Sequence, residues 1–180
     1  KSTLMQIMAG ILKPDGGELC YFGKKAAYKS STFRRFCGYV PQENPLMEEL
    51  TVQDNLKLWG GSHNANTKEL VAQFQLEDLL QTEVSKLSGG MKRRLSIACA
   101  LVENPPFLLM DEPTTALDLY YKESIHQWMK SYQQKNGIIL MTTHDESEIR
   151  NADRCLFMDE GKVQELDAED ILQKFAGMSE

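Results

Sequence analysis

The sequence has no apolar run long enough to cross a bilayer, and its opening does not read as a secretion signal. Contact with a membrane therefore has to go through a partner, and a cytoplasmic location is expected. Basic residues are in deficit: 20 Lys and Arg stand against 26 Asp and Glu, a formal charge of −6. Binding a nucleic-acid backbone calls for a basic face, so no nucleic acid is expected as a partner. The one basic cluster, Lys92-Arg93-Arg94, lies in a helical stretch where neighbours point in different directions, and reads as a solvated face. Cysteines are few: Cys20, Cys37, Cys99 and Cys155 lack the paired spacing of a zinc site and read as reduced thiols. No repeat, linker or low-complexity segment breaks the chain. A length of 180 residues with 42% hydrophobic content is ordinary for one globular domain with a sizeable core.

What is present concentrates between Leu87 and Asp118: LSGGMKRRLSIACALVENPPFLLMDEPTTALD. Ser88 is a good helix N-cap, and Gly89-Gly90 remove side chains where a ligand would approach the backbone. A helix N-terminus offers free N–H groups and about half a positive charge, which suits a phosphate. After the helix, Phe107-Leu108-Leu109-Met110 behind Pro105-Pro106 reads as a buried strand ending in Asp111-Glu112. Two adjacent carboxylates there repel unless a cation or a reacting water occupies them. One suits Mg²⁺ and the next suits orienting or deprotonating a water.

This block resembles the nucleotide-binding subunit of ABC transporters, whose signature reads LSGGQ and whose Walker B strand ends in Asp-Glu. Met91 stands where the family consensus has Gln, a form found in the exporter-like branch with the run LSGGMKRRLS. Other stretches are similar to the family's motifs in the family's order. Lys1-Ser2-Thr3 matches the end of the P-loop GxxxxGK[ST], in which the lysine reaches the β- and γ-phosphates and the next hydroxyl binds Mg²⁺. Its glycine-rich half, the strand before it and the aromatic that stacks on adenine do not precede Lys1, so a chain cut inside its own P-loop is expected. Gln42 after the strand Gly38-Tyr39-Val40 resembles the Q-loop glutamine, Ala116-Leu117-Asp118 the D-loop, and His144 after Ile138–Met141 the switch histidine. Asp118 also suits an N-cap for the helix that follows.

Between these motifs, Leu4, Ile7, Met8, Ile11 and Leu12 space as one helix face, stopped by Lys13-Pro14-Asp15-Gly16-Gly17. Residues 18–22 read as an edge strand and Phe33–Phe36 as a short helical turn. Thr51 and Asp54 form an approximate capping box. Residues 46–104 are expected to form a helical subdomain, with a polar break, including His63, at 60–66. Asp159-Glu160-Gly161-Lys162 reads as a hairpin turn and Asp170–Phe175 as a last short helix.

The fold expected is α/β, a P-loop NTPase-type, mainly parallel core sheet with an inserted helical subdomain and a small antiparallel edge, all in one domain over 1–180. Ligands in such sheets bind beyond the carboxyl ends of the strands, where Gln42, Asp111, Glu112 and His144 fall. The resemblance implies MgATP hydrolysis by in-line attack of water. Lys1, Ser2 and Thr3 would hold phosphates; Ser2, Gln42 and Asp111 would hold Mg²⁺. Glu112 would be the general base, with Gln42 and His144 placing water and γ-phosphate. Two phosphate-binding helix N-termini, at Lys1 and at Ser88, for one triphosphate point to a dimer. The family sandwiches ATP between Lys1 of one subunit and Ser88-Gly89-Gly90 of another, and Asp118 of the D-loop stretch is also expected to bind ATP. A homodimer or a paired ATPase subunit is thus expected, driving a separate transmembrane permease. Export is the first reading, import the second, and a non-transport cassette of the translation or DNA-repair type the third. A fragment that is itself inactive is also foreseen.

Overall fold

In the computed structural model the described residues are 1–60, 66–115 and 117–177. The polar break at 61–65, with His63, and Ala116 of the D-loop stretch lie outside them. The backbone divides into two compact units, one of residues Ser2–Met141 and one of Lys1 with 142–177.

The first unit begins with helix α1 (Ser2–Met8). The apolar spacing predicts a helix through Leu12, and the helix stops short of that. Gly10 turns left-handed at φ 72°, Gly10 N donates to Ile7 O and Ile11 N to Gln6 O, which is a Schellman ending. The buried residue is Met5, while Leu4, Ile11 and Leu12 remain exposed. The predicted apolar face is thus corrected: a glycine stop overrides the periodicity. Next comes an antiparallel ribbon of β1 (Cys20–Tyr21) and β2 (Lys24–Lys25), shorter than the expected strand over 18–22. Helix α2 (Ser31–Phe36) follows, and Tyr21, Ala26 and Phe33 bury one another there.

The central sheet has the order β3 (Cys37–Val40), β4 (Phe107–Asp111), β5 (Ile138–Thr142). β3 and β4 run parallel with Val40 opposite Met110, so the residues after both strands emerge at the same edge. Leu108, Leu109 and Met110 are fully buried, as a strand covered on both faces requires. Between β3 and β4 the described elements are helical: α3 (Val52–Gly60), α4 (Asn66–Gln73), two 3₁₀ turns at Glu77–Leu79 and Val84–Lys86, and α5 (Gly89–Leu101). Thr51 starts α3 by accepting from Asp54 N at 3.1 Å and donating its hydroxyl to Asp54 Oδ2 at 2.7 Å, so the predicted capping pair closes on itself. Leu95, Ile97 and Ala98 of α5 are fully buried with β4, α3 and helix α6 (Leu119–Gln134) in one core. Each such Leu or Ile removed from water is worth roughly 1.5–3 kcal/mol.

The second unit holds α7 (Glu146–Asn151), the hairpin β6 (Cys155–Asp159) and β7 (Lys162–Leu166), and α8 (Ala168–Gly177). Its turn falls where predicted, with Glu160 and Gly161 both at positive φ. Among the described residues no helix is long and apolar enough to cross a membrane.

Candidate functional site

The start of α5 forms as its sequence dictates. Ser88 sits at φ −66°, ψ 162° and its hydroxyl accepts from Met91 N at 3.3 Å, an N-cap on the third helical residue. Gly89 is exposed with open space around it. Gly90 is buried, and a Cβ there would lie 2.7 Å from the Tyr121 ring, so only glycine fits against that aromatic. Asp118 caps α6 by accepting from Tyr121 N at 3.0 Å. The cap thereby fixes the turn that lays Tyr121 over Gly90.

At the end of β4, Asp111 is buried and Glu112 half-buried, so the two carboxylates face different surroundings. Glu112 has a φ of 47°, left-handed backbone that a residue with a Cβ adopts at a cost of order 1 kcal/mol or more. The turn out of the strand delivers the carboxylate to its neighbours. Glu112 Oε2 accepts from Thr115 Oγ1 at 3.0 Å and from Gln42 Nε2 at 3.4 Å. Gln42, Asn44, Gly89, Arg93, Glu112, Thr115 and Leu117 line a cleft of about 300 Å³. The structure thus brings together three separately predicted stretches within this unit: Gln42, the turn at Gly89, and Asp111-Glu112. Ser2 and Thr3 lie exposed in the first turn of α1.

In the other unit, Lys1 Nζ lies 3.3 Å from His144 Nε2 and 5.9 Å from the centre of the Phe175 ring. The His144 ring is itself 5.8 Å from Phe175, so two predicted residues share one aromatic neighbour.

The basic cluster requires correction. Lys92 does reach outward, pairing with Glu48 at 2.6 Å, but Arg93 and Arg94 are 4% and 5% exposed. Arg94 donates to Phe74 O at 2.9 Å at the end of α4 and places its guanidinium 5.1 Å from the Tyr121 ring. Arg93 donates only to carbonyls among its recorded bonds: Nε to Pro113 O at 2.9 Å, Nη1 to Pro41 O and Gln42 O, and Nη2 to Asp111 O at 3.0 Å and Glu112 O at 3.1 Å. Burial pulls the guanidinium down to about 10, against Asp111 and Tyr39, which raise it. It is still a cation at neutral pH. A helix interior tolerates such a buried cation where a carbonyl cage receives all its N–H groups, and no pattern in the sequence announces a cage.

Thr115 and Asn44 are further residues of the cleft that sequence reasoning missed. Thr115 had a signal: it stands three positions after Glu112, within a turn in which Thr115 N donates to Glu112 O at 3.4 Å. Asn44 had none. Its Oδ1 is buried with no hydrogen-bond partner among the described residues.

No group of three or more His, Cys, Asp or Glu suited to a metal occurs among the described residues. Mg²⁺ in nucleotide sites keeps several waters, takes phosphate oxygens and needs only one or two protein oxygens. Asp111 carries a hard carboxylate at the strand end and Gln42 an amide oxygen in the cleft, which are the donor types that a phosphate-bound Mg²⁺ takes.

A strand-end acidic pair, a glutamine beyond the adjacent parallel strand and a serine-capped glycine helix together define a nucleotide-binding cassette. The chain belongs to the ABC transporter family, whose model matches residues 1–115. It is 34% identical over 187 residues to the Nod factor export ATP-binding protein I of Rhizobium etli, covering 98% of this chain and 59% of that protein. It is 33% identical over 180 residues to the sulfate/thiosulfate import ATP-binding protein CysA of Xanthomonas campestris pv. campestris, covering 93% of this chain and 52% of that one. The chain thus spans little more than half the length of these curated relatives. Among solved structures it resembles a dimeric ATP-binding cassette in a post-hydrolysis state bound to ADP and Pi, with a TM-score of 0.82 and 28% identity over 93% of this chain and 80% of that one.

Proposed function

We propose that this chain is the ATP-hydrolysing part of an ABC transporter, working as a dimer to drive a separate transmembrane subunit in the direction of export. One observation carries the hydrolytic reading: the Glu112 carboxylate is presented by left-handed backbone into a cleft, with Gln42 and Thr115 donating to one of its oxygens. A carboxylate aimed in this way can take a proton from water. Gln42, carrying both a donor and an acceptor, places that water, and Asp111 with Ser2 and Gln42 holds Mg²⁺. The metal, when bound, would neutralise charge on the transferring phosphoryl group. Lys1, Ser2 and Thr3 take phosphate oxygens. The approach of Lys1 Nζ to His144 Nε2 supports a common phosphate ligand for that pair. The open N-terminus of α5 at Ser88-Gly89-Gly90 receives the γ-phosphate held by a second subunit, with Asp118 beside it. The dimer in the related solved cassette supports this arrangement.

Export is favoured by the LSGGM form of the signature and by the Rhizobium etli relative. Import is the second reading, favoured by the sulfate/thiosulfate relative of nearly equal identity.

Phosphate release from MgATP by the full natural protein tests the reading. Saturable turnover is expected, and Glu112→Gln should lose about a hundredfold or more while still binding ATP, because the amide orients water but takes no proton. Near-normal turnover in that variant removes Glu112 from the base role. In inverted vesicles carrying the whole transporter, ATP-driven accumulation of substrate inside marks export, and ATP-driven release marks import.

A further inference from the structure

The sequence leaves Arg93 without a function, and the hydrolytic reading does not use it. Its surroundings do not resemble ordinary core. Arg93 lies five residues beyond the Ser88 cap and is 4% exposed. Its three guanidinium nitrogens reach five backbone carbonyls: two, Pro41 O and Gln42 O, follow β3, and three, Asp111 O, Glu112 O and Pro113 O, run from the last residue of β4 onward. A planar fork of five N–H groups is the one side chain able to address so many acceptors at once.

Two of these carbonyls belong to the two residues whose side chains meet. Gln42 and Glu112 each offer a carbonyl to Arg93 on one side and a side-chain contact to the other residue, at 3.4 Å. The distance between an amide and a carboxylate on different strands depends on how far apart the two backbones sit. Backbone pairing between β3 and β4 ends at Val40 opposite Met110, so beyond it the ladder no longer sets that spacing. Arg93 spans the gap there.

We propose that Arg93 is a positioning residue for hydrolysis: its guanidinium holds the backbone of Pro41-Gln42 against that of Asp111-Glu112-Pro113, setting the separation at which the Gln42 and Glu112 side chains act together, and ties both to the phosphate-facing start of α5. This inference rests on the ATPase reading above. Its consequence is that tilting α5 at its Ser88 end shifts Gln42 and Glu112 of the same chain together.

The test is Arg93→Lys in the full natural protein, with Arg93→Met beside it. Lysine keeps the charge and the stem but offers a compact ammonium in place of the fork. We expect kcat to fall between about ten- and a hundredfold, as small misplacements of reacting groups do, with ATP affinity within about twofold of the wild type. In the same samples, hydrogen exchange should quicken at the amides of residues 42–44 and of Glu112, Thr114 and Thr115, and stay unchanged in the second half of α5. A core residue of purely structural role would instead lower the melting temperature and leave kcat at 20 °C intact. Wild-type kcat with wild-type exchange in Arg93→Lys would overturn the proposal, and so would a loss confined to ATP affinity. If Arg93→Met fails to fold, the lysine variant still decides. Absence of turnover in the wild type itself sinks the ATPase reading, whereas turnover shared equally by wild type and variants sinks only this inference.

Discussion

Gln42 and Glu112 stand seventy positions apart in the chain, and the amide of the first donates to the carboxylate of the second at 3.4 Å. The same carboxylate oxygen takes the Thr115 hydroxyl at 3.0 Å. One donor comes from the loop after the adjacent strand β3 and one from the same turn, so the local bond aims the carboxylate and the distant bond reports where that loop sits.

Thr115→Val removes the hydroxyl and keeps the shape. A hydrogen bond to a carboxylate is worth about 1.5–3 kcal/mol, so turnover should fall about ten- to a hundredfold. Thr115→Ser should restore most of it. Steady-state phosphate release checks both, and a valine variant as fast as the wild type would show that the turn alone aims Glu112.

Ser88→Arg should leave ATP affinity of the monomer nearly unchanged and block the closed dimer, by placing bulk where backbone N–H groups meet phosphate. Mixing it with Lys1→Ala is the sharper measurement. In a mixed dimer one site carries both defects and the other carries neither, so part of the ATPase activity should return although each parent is inactive. Heterodimers that form without recovery would refute a site shared between subunits.

Gly38→Ala should cost about 1–3 kcal/mol, the usual range for overpacking. The added Cβ would stand 2.6 Å from Ala100 O, and a backbone oxygen cannot swing aside as a side chain can. Denaturant unfolding gives the value. A neutral result would mean that α5 slides on β3 without loss.

Alkaline stability follows from Cys99. Burial pushes its thiol up from 9.0 to about 12. The folded state keeps the proton while the unfolded chain releases it above pH 9, so the stabilisation is complete below that pH. It is then lost at about 1.4 kcal/mol per unit as the pH rises toward the folded value. Burial likewise raises Cys37 to about 11, and the two limbs add. Cys99→Ala should make the decline between pH 9 and 11 shallower. An unchanged slope would remove Cys99 as its source.

Much of this was legible in the residues. Ser88 and Asp118 cap helices because short acceptor side chains before helical runs do so locally, and β4 reads as buried because four apolar residues in a row leave no solvated face. Locally written features survive translation into structure. Arg93 and Arg94 did not, because a cation is buried only when carbonyls from elsewhere converge on it. Those carbonyls are supplied by residues up to 52 positions away. The early stop of α1 was missed for a simpler reason: Gly10 lies between Met8 and Ile11, and the apolar spacing on either side masked it. The burial of Asn55 was not legible either: it is fully buried and pins Met47 by both that residue's backbone N and its O, at 2.9 and 3.0 Å.

The contact between Gly90 and Tyr121 carries a consequence for how this sequence can change over time. An alanine at 90 would press its Cβ to 2.7 Å from the aromatic ring, so the substitution is costly while tyrosine occupies 121. Replacing Tyr121 first by a smaller residue opens that space and sacrifices the aromatic neighbour of the buried Arg94 guanidinium, a loss of about 2 kcal/mol for a desolvated cation. The two positions therefore favour one order of substitution over the other. A lineage that had lost the aromatic at 121 would be free to drift at 90, so a first substitution in α6 would open the way to change at the start of α5.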